Sequence, residues 1–306
     1  MKQGIRNSIA LLSLAIPFKL LRAGKSFPPF LPFYHVVSDV KLDYINSYGV
    51  RTKKQFETEL DYLLKHFHPV DLDEIINSPA KNKMHLSFDD GLKECHSVIA
   101  PVLKRKGIPA TFFVSPDFVD NQHLFHRFKQ AILESKGILM SGGKKYFINE
   151  INELDELAQK HKLDFSAWQP YMNTEEITAL HNDGFSIGAH SLDHPEMWTL
   201  SEEEQYRQVV ESMQWVVDRF QPAIKAFSFP FTDDGLEQSL FNRIQASGKV
   251  DVTFGTAGLK YDSHPINLQR VPVELKQNWP IQKVVHFEYF YYFLRSMVGK
   301  NKVVHE

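Results

Sequence analysis

The sequence predicts a single α/β domain built around a mostly parallel sheet. Two observations carry this expectation. Short apolar runs alternate with amphipathic helical stretches over most of the chain, the pattern of strand–helix–strand units whose strands form one sheet, open or closed into a barrel. The 306 residues, 43% hydrophobic and 24% charged, suffice to bury one large core, and no internal repeat or low-complexity tract argues for another class.

Taken in order, "PPFLPFYHVVSD" (28–39) reads as a linker entering a first strand that ends at Tyr34-His35. "TKKQFETELDYLLKHF" (52–67) places Phe56, Leu60, Leu63 and Leu64 at helical spacing. "MHLSF" is a strand, and "KECHSVIAPVLKRKG" a helix closed by Gly107, a usual residue just past a helix end. "PATFFVSP" (109–116) is a buried strand. Helices over 123–136 and 151–161 follow, with a "SGGKKY" turn between them. "TEEITALHND" (174–183) is a helix with Thr174 as N-cap, and "GFSIGAH" the next strand. A long helix over 201–220, a strand over 224–231, the helix "SLFNRIQASG", the strand "VDVTFGT" and a last strand "INLQRVPV" complete the alternation. Residues 120–173 exceed an ordinary connection and read as an insertion. The chain thus divides into an apolar and basic segment (1–27), a main domain (28–275) carrying that insertion, and an aromatic-rich helix with a tail (276–306).

Working residues in α/β folds sit at the C-terminal ends of parallel strands. Four predicted strands end this way: at His35, at Asp89-Asp90, at His190, and around Phe231. Two adjacent carboxylates repel each other and cost stability unless something uses them. In "HSLDH", His190 and His194 are four apart, a spacing that lets two imidazoles converge on one ion. Two histidines and one carboxylate make a facial site suited to zinc or a similar divalent ion. That leaves the second Asp unligated, free to act as general base. Either motif alone is more often structural: the chain has a second Asp-Asp-Gly at 233–235, and a lone His-x-x-x-His is usually a satisfied pair. Their combination, each after a buried strand, points to a site. Asp193 reads as a solvated loop residue, and His85 and His96 as structural.

"LSFDDG", "GAHSLDHP" and "FSFPFTDDG", in this order, resemble the first three motifs of the polysaccharide deacetylases of the NodB-homology type, carbohydrate esterase family 4. The flanking "PVLKRKGIPATFFVSPDFVD" and "TEEITALHNDGFSIGAHSLDHPEMWTLSEEEQYRQVVESMQWV" agree, and the resemblance spans about residues 30–275. It implies a distorted (β/α) barrel and a metal-dependent hydrolase removing acetyl groups, N-acetyl foremost, from a cell-envelope or secreted polysaccharide. It implies Asp89 as catalytic base, with Asp90, His190 and His194 holding a divalent ion, zinc foremost, with cobalt, nickel or manganese as alternatives. It also implies that Pro230-Phe231 lines the groove and offers a backbone N–H to the oxyanion, and that Arg270 in "LQRVPV" orients the base. Trp198 offers a stacking face for a sugar ring.

Three departures stand out. Ser228 occupies the position where the family often has an arginine, the insertion is long, and no leucine-x-histidine motif near the C-terminus supplies a general acid. His35 and His286 are the candidate acids, His35 the better placed. Two alternatives stay open: a catalytically silent glycan-binding protein on the same fold, and a related C–N hydrolase acting on a small amide.

The net charge of −2 leaves no footprint for nucleic acid, and the single Cys95 excludes an internal disulfide or a multi-cysteine metal site. "MKQGIRNSIALLSLAIPFKLLRAGK" has the charged and apolar regions of a signal peptide but a poor cleavage site. A helix lying on a membrane surface through residues 8–22, or docked on the domain, explains it as well. We read it as uncleaved, with a cytoplasmic or membrane-peripheral location favoured over export.

Overall fold

Eight short strands form one sheet in the computed structural model, which describes residues 3–23, 26–274 and 279–306. They are β1 (Pro32–Tyr34), β2 (Leu86–Phe88), β3 (Ala110–Val114), β4 (Ser186–Ala189), β5 (Ala226–Ser228), β6 (Val252–Gly255), β7 (Asn267–Gln269) and β8 (Val271–Pro272). Their order is β7-β6-β5-β4-β3-β2-β1-β8, and every neighbouring pair is parallel. β7 and β8 stand at opposite edges of the sheet, yet only Arg270 separates them in the chain. One short stretch therefore bonds to both edges and curls the sheet into a nearly closed barrel. The expected single last strand is two strands, because Asn267 pairs with Thr253 while Val271 pairs with Pro32.

Strand residues are buried on both faces, as in other parallel sheets covered by helices outside and filled by side chains within. Gly188 in β4 shows how tight the filling is. A Cβ there would lie 2.5 Å from the Phe113 ring and 2.8 Å from the Ala226 carbonyl oxygen.

The helices run α1 (Gln3–Leu14), α2 (Phe18–Leu21), α3 (Lys53–Leu64), α4 (Leu72–Asn77), α5 (Ala100–Lys106), α6 (His126–Ser135), α7 (Ile151–Lys160), α8 (Thr174–Asn182), α9 (Glu202–Phe220), α10 (Gln238–Ser247) and α11 (Ile281–Ser296). α3 begins with a capping box between Thr52 and Gln55, and buries Phe56, Leu60 and Leu63. A π-helical turn, Cys95–Ile99, leads into α5, which ends at Gly107 with φ +62°. The N-cap of α8 is Asn173, one residue before the expected Thr174. Asn173 accepts from the Glu176 N–H, while Thr174 donates its N–H and hydroxyl to Asp120. The insertion contributes α6 and α7, which pack on each other. α11 packs on α1, α2 and α3 on the outside of the barrel. His286 lies in that contact, with Nδ1 3.1 Å from the Ser13 carbonyl and its ring against Phe18, so it is no candidate for the acid. No helix among the described residues is long and apolar enough to cross a membrane.

The packing at Gly188 yields a direct test of the barrel. Gly188→Ala should lower stability by ~1–3 kcal/mol, the usual cost of overpacking a filled core. A urea midpoint equal to that of the parent chain would contradict the packing described.

Candidate active site

The strand ends bring the predicted residues into one cavity of about 320 Å³. His35 follows β1, Asp89 and Asp90 follow β2, His190 follows β4, and Phe229 and Phe231 follow β5. The insertion supplies Phe125, Arg127, Phe128 and Lys145 to the same lining. Pro230 is not among the lining residues. Trp198 is 42% exposed beside the cavity, its ring 6.0 Å from that of Phe231, so its outer face is open.

The two adjacent carboxylates face different partners. Asp89, 2% exposed, forms a bidentate pair with Arg270, Nη1 to Oδ1 at 2.7 Å and Nη2 to Oδ2 at 2.8 Å. Burial alone would push its carboxyl up, but Arg270 outweighs burial and holds it below the usual range, so Asp89 stays ionised. Arg270 also donates to the Ser87 hydroxyl at 2.9 Å and the Ser228 hydroxyl at 2.6 Å. Ser228, at the departure from the family pattern, thus joins the network around Asp89: its hydroxyl donates to Asp89 Oδ2 at 3.5 Å.

Asp90 turns toward the histidines. Its Oδ1 lies 3.2 Å from His194 Nε2 and 3.5 Å from His190 Nε2, yet it is buried with no hydrogen-bond partner among the described residues. The reason lies in the His190 tautomer. His190 Nδ1 meets the Ser228 carbonyl at 2.8 Å, and a carbonyl can only accept, so the proton sits on Nδ1 and Nε2 presents a lone pair. A lone pair facing a carboxylate oxygen is repulsive unless a cation stands between them. One carboxylate oxygen and two imidazole nitrogens within 4.8 Å of one another, all buried, form a donor set that fits a zinc-like divalent ion. The His190 Nδ1 bond to a backbone carbonyl is the outer support that ligating histidines usually have.

Backbone strain collects here. Among the described residues eight non-glycines have positive φ, and four of them are Asp90 (+70°), Ser191 (+65°), His194 (+57°) and Phe231 (+59°). Gly91 follows Asp90 at φ +63°, where a Cβ would lie 3.1 Å from Val114 Cγ1. The His-x-x-x-His spacing therefore works through a strained loop, in which the His194 N–H donates to Ser191 Oγ. The His194 ring is held edge-on between Phe125 and Phe231 at 4.7 and 4.5 Å, and burial lowers its pKa. The Phe231 N–H has no partner among the described residues and borders the cavity.

Two members of the site escaped the sequence reading. Glu274 accepts from the His35 backbone N–H at 2.8 Å and lies 2.7 Å from its Nδ1. Burial disfavours a charged His35, but the Glu274 carboxylate outweighs it and raises the ring to about 9. Tyr48 stacks on His35, ring centres 4.3 Å apart and 17° from parallel, and its hydroxyl is buried without a partner among the described residues. Glu274 stands just past the last strand, where the strand-end rule that picked His35 could have found it; no sequence signal marks Tyr48.

Asp193 is not merely solvated: its carboxylate accepts from the Gln208 amide, which also holds the Leu192 N–H. His85 is structural as expected, bonded to the Val70 carbonyl and Thr111 hydroxyl. The second Asp-Asp-Gly contributes Asp233 to a buried group with Asp262 and His305. There the Gln269 amide, its oxygen fixed by the Ala257 N–H, points its NH₂ at both carboxylates. Donors rather than lone pairs fill that centre, so it is a closed hydrogen-bond network.

Comparison with known proteins agrees with this geometry. The sequence model of the polysaccharide deacetylase family matches residues 77–240. No curated protein matches by sequence. Among solved structures, the fold is similar to the deacetylase PplD of Streptococcus pyogenes, with TM-score 0.59 and 14% identity over 86% of this chain and 99% of that one. It is also similar to IcaB of Ammonifex degensii, with TM-score 0.57 and 17% identity over 86% and 98%. A de-N-acetylase of Aggregatibacter actinomycetemcomitans gives 0.55 and 13% over 84% and 99%. The family match covers more than half of the chain, and the barrel is the one its resemblance implies: this chain belongs to the polysaccharide deacetylase family and is a hydrolase of that class.

Proposed function

We propose that the chain removes N-acetyl groups from an N-acetylhexosamine-containing glycan of the cell envelope or a secreted polysaccharide, with a divalent ion, zinc foremost, at Asp90, His190 and His194. The observation that carries the reading is the division of the carboxylate pair, Asp89 toward Arg270 and Asp90 toward two imidazole nitrogens. N-acetyl is chosen because it is the commonest substrate of the family, and the fold neighbour described as a de-N-acetylase supports it.

When bound, the ion supplies a Lewis acid for the acetyl carbonyl and makes a water more acidic. Asp89 takes a proton from the attacking water. Arg270 keeps Asp89 ionised and, with the longer Ser228 hydroxyl contact, occupies three of the roughly four lone-pair sites of its carboxylate, leaving one for that proton. The Phe231 N–H, without a partner among the described residues, donates to the oxygen that gains negative charge. The carbon–nitrogen bond then breaks, and the departing amine takes a proton from His35. Glu274 and the Tyr48 ring keep His35 charged at neutral pH, the state a general acid requires. His35 thus fills the role that the absent C-terminal motif leaves open. The aromatic wall of Phe125, Phe128 and Phe231, with Trp198 outside it, suits the apolar face of a sugar ring.

The broad test is acetate release by zinc-loaded protein from a panel of N- and O-acetylated glycans. Release from N-acetylated members supports the proposal. Activity confined to O-acetylxylan would overturn the substrate, and binding without turnover throughout would favour a glycan-binding protein. Within the active protein, Asp89→Asn should lower kcat by ~10²–10⁴, the usual worth of a general base; full acetate release by this variant would remove Asp89 from the role. The pH profile tests His35 separately. Its acid form is lost as pH rises through about 9, so kcat should fall on the alkaline side. Glu274→Gln removes the carboxylate that raises the ring, and the alkaline limb should move to lower pH. An unshifted limb would exclude His35 as the acid.

A further inference from the structure

The first thirty-eight residues hold five cations, Lys2, Arg6, Lys19, Arg22 and Lys25, and no acidic residue precedes Asp39, although the whole chain carries −2. Within this stretch α1 leaves its leucines on the solvent side. It sits against α11 with Ala10 and Ser13 fully buried, and His286 of α11 meets the Ser13 carbonyl. Ile9 packs partly against the core, but the leucines face the other way: Leu11 is 63%, Leu12 64% and Leu14 36% exposed, and Leu20 on α2 is 63% exposed. A helix lying on a globular body in water ordinarily turns its leucines inward and its polar residues outward.

This outward face is held in place. Phe18 of α2 is buried among the rings of His66, Phe67, His286 and Tyr289. Arg22, just past α2, donates to the carbonyls of His66 and Lys81. Cations surround the anchored turn. Lys19 is exposed beside Leu20, Lys65 precedes His66, and Lys81 donates to the Arg22 carbonyl; all three are exposed, and none makes an ion pair among the described residues. α1 spans only 12 residues, too few to cross a bilayer, so the segment can lie on a membrane but not through it.

We propose that α1 and α2 form a docking surface for an anionic lipid bilayer, with Leu11, Leu12 and Leu20 entering the acyl boundary and Lys19, Lys65 and Lys81 meeting the headgroups. Charge favours this occupant over a second copy of the chain. A two-fold contact through this face would set the same cations against one another, whereas anionic headgroups neutralise them. The surface is separate from the catalytic cavity, whose lining contains none of these residues.

The test is sedimentation of the intact protein with vesicles of phosphatidylcholine alone and of phosphatidylcholine mixed with phosphatidylglycerol. The protein should bind the anionic vesicles, less so as salt rises. Leu11→Ser/Leu12→Ser/Leu20→Ser should weaken that binding at least about tenfold, and Lys19→Glu/Lys65→Glu similarly. Both variants should release acetate from a soluble glycan at the parent rate. Absence of vesicle binding, or binding indifferent to both sets of substitutions, would overturn the proposal. So would leucine-dependent self-association in sedimentation velocity without lipid binding, which would make the face a contact between copies.

Discussion

The Arg270–Asp89 pair is the interaction on which the rest of the structure depends. Arg270 is 1% exposed and occupies the single residue between β7 and β8, the seam that closes the barrel. All five of its N–H groups have acceptors: two on Asp89, one each on Ser87 and Ser228, and a longer one on the Gly255 carbonyl at 3.5 Å. Its guanidinium also lies 4.2 Å from the centre of the Phe33 ring. Burying an ion pair costs more desolvation energy than it returns unless the geometry is good and the remaining donors are satisfied. Both conditions hold here, so one side chain ties β2, β5 and β6 to the seam while fixing the proposed base in its ionised form. A larger side chain at Ser228 would crowd that guanidinium, which gives the departure from the family pattern a physical setting.

The same economy appears in the strained residues. Asp90, Ser191, His194 and Phe231 all adopt a backbone conformation that costs a residue with a side chain roughly 1–3 kcal/mol. Each lies in or beside the candidate donor set or at the proposed oxyanion position, and each follows a strand locked into the barrel. The rigid sheet over-determines these loops, which is how such conformations persist. In the proposed mechanism the strain is pre-organisation: groups that must face the ion or the oxyanion are held there before substrate arrives.

Much of this was legible because it is local. The alternation that gives the strands, the glycine that closes α5, and the placement of Asp89, Asp90 and His190 at strand ends all depend on residues close together in the chain. The candidate metal donors were legible as a set because Asp90 follows one strand and His190 and His194 both follow another. What remained hidden passes through long-range closure. Glu274 reaches His35 only because β8 pairs with β1 across the seam, and nothing within a window of sequence says which strands will meet. Tyr48 stacks on His35 from an irregular loop without periodicity. His286 was a reasonable candidate acid by residue type alone, and its helix buries it against the N-terminal segment instead. The split of one predicted strand at Arg270 is the same lesson: propensity reads through a residue at which the barrel turns the corner.

The central claim is that two adjacent carboxylates do different work, Asp90 with an ion and Asp89 with a proton. The most direct measurement is calorimetric titration of Zn²⁺ into metal-free parent chain, Asp89→Asn and His194→Ala. The account predicts about one ion per chain for the parent and for Asp89→Asn, and no binding at this site for His194→Ala, whose fold persists because the ligand sits on a loop. Undiminished binding in His194→Ala, or loss of binding in a folded Asp89→Asn, would contradict it.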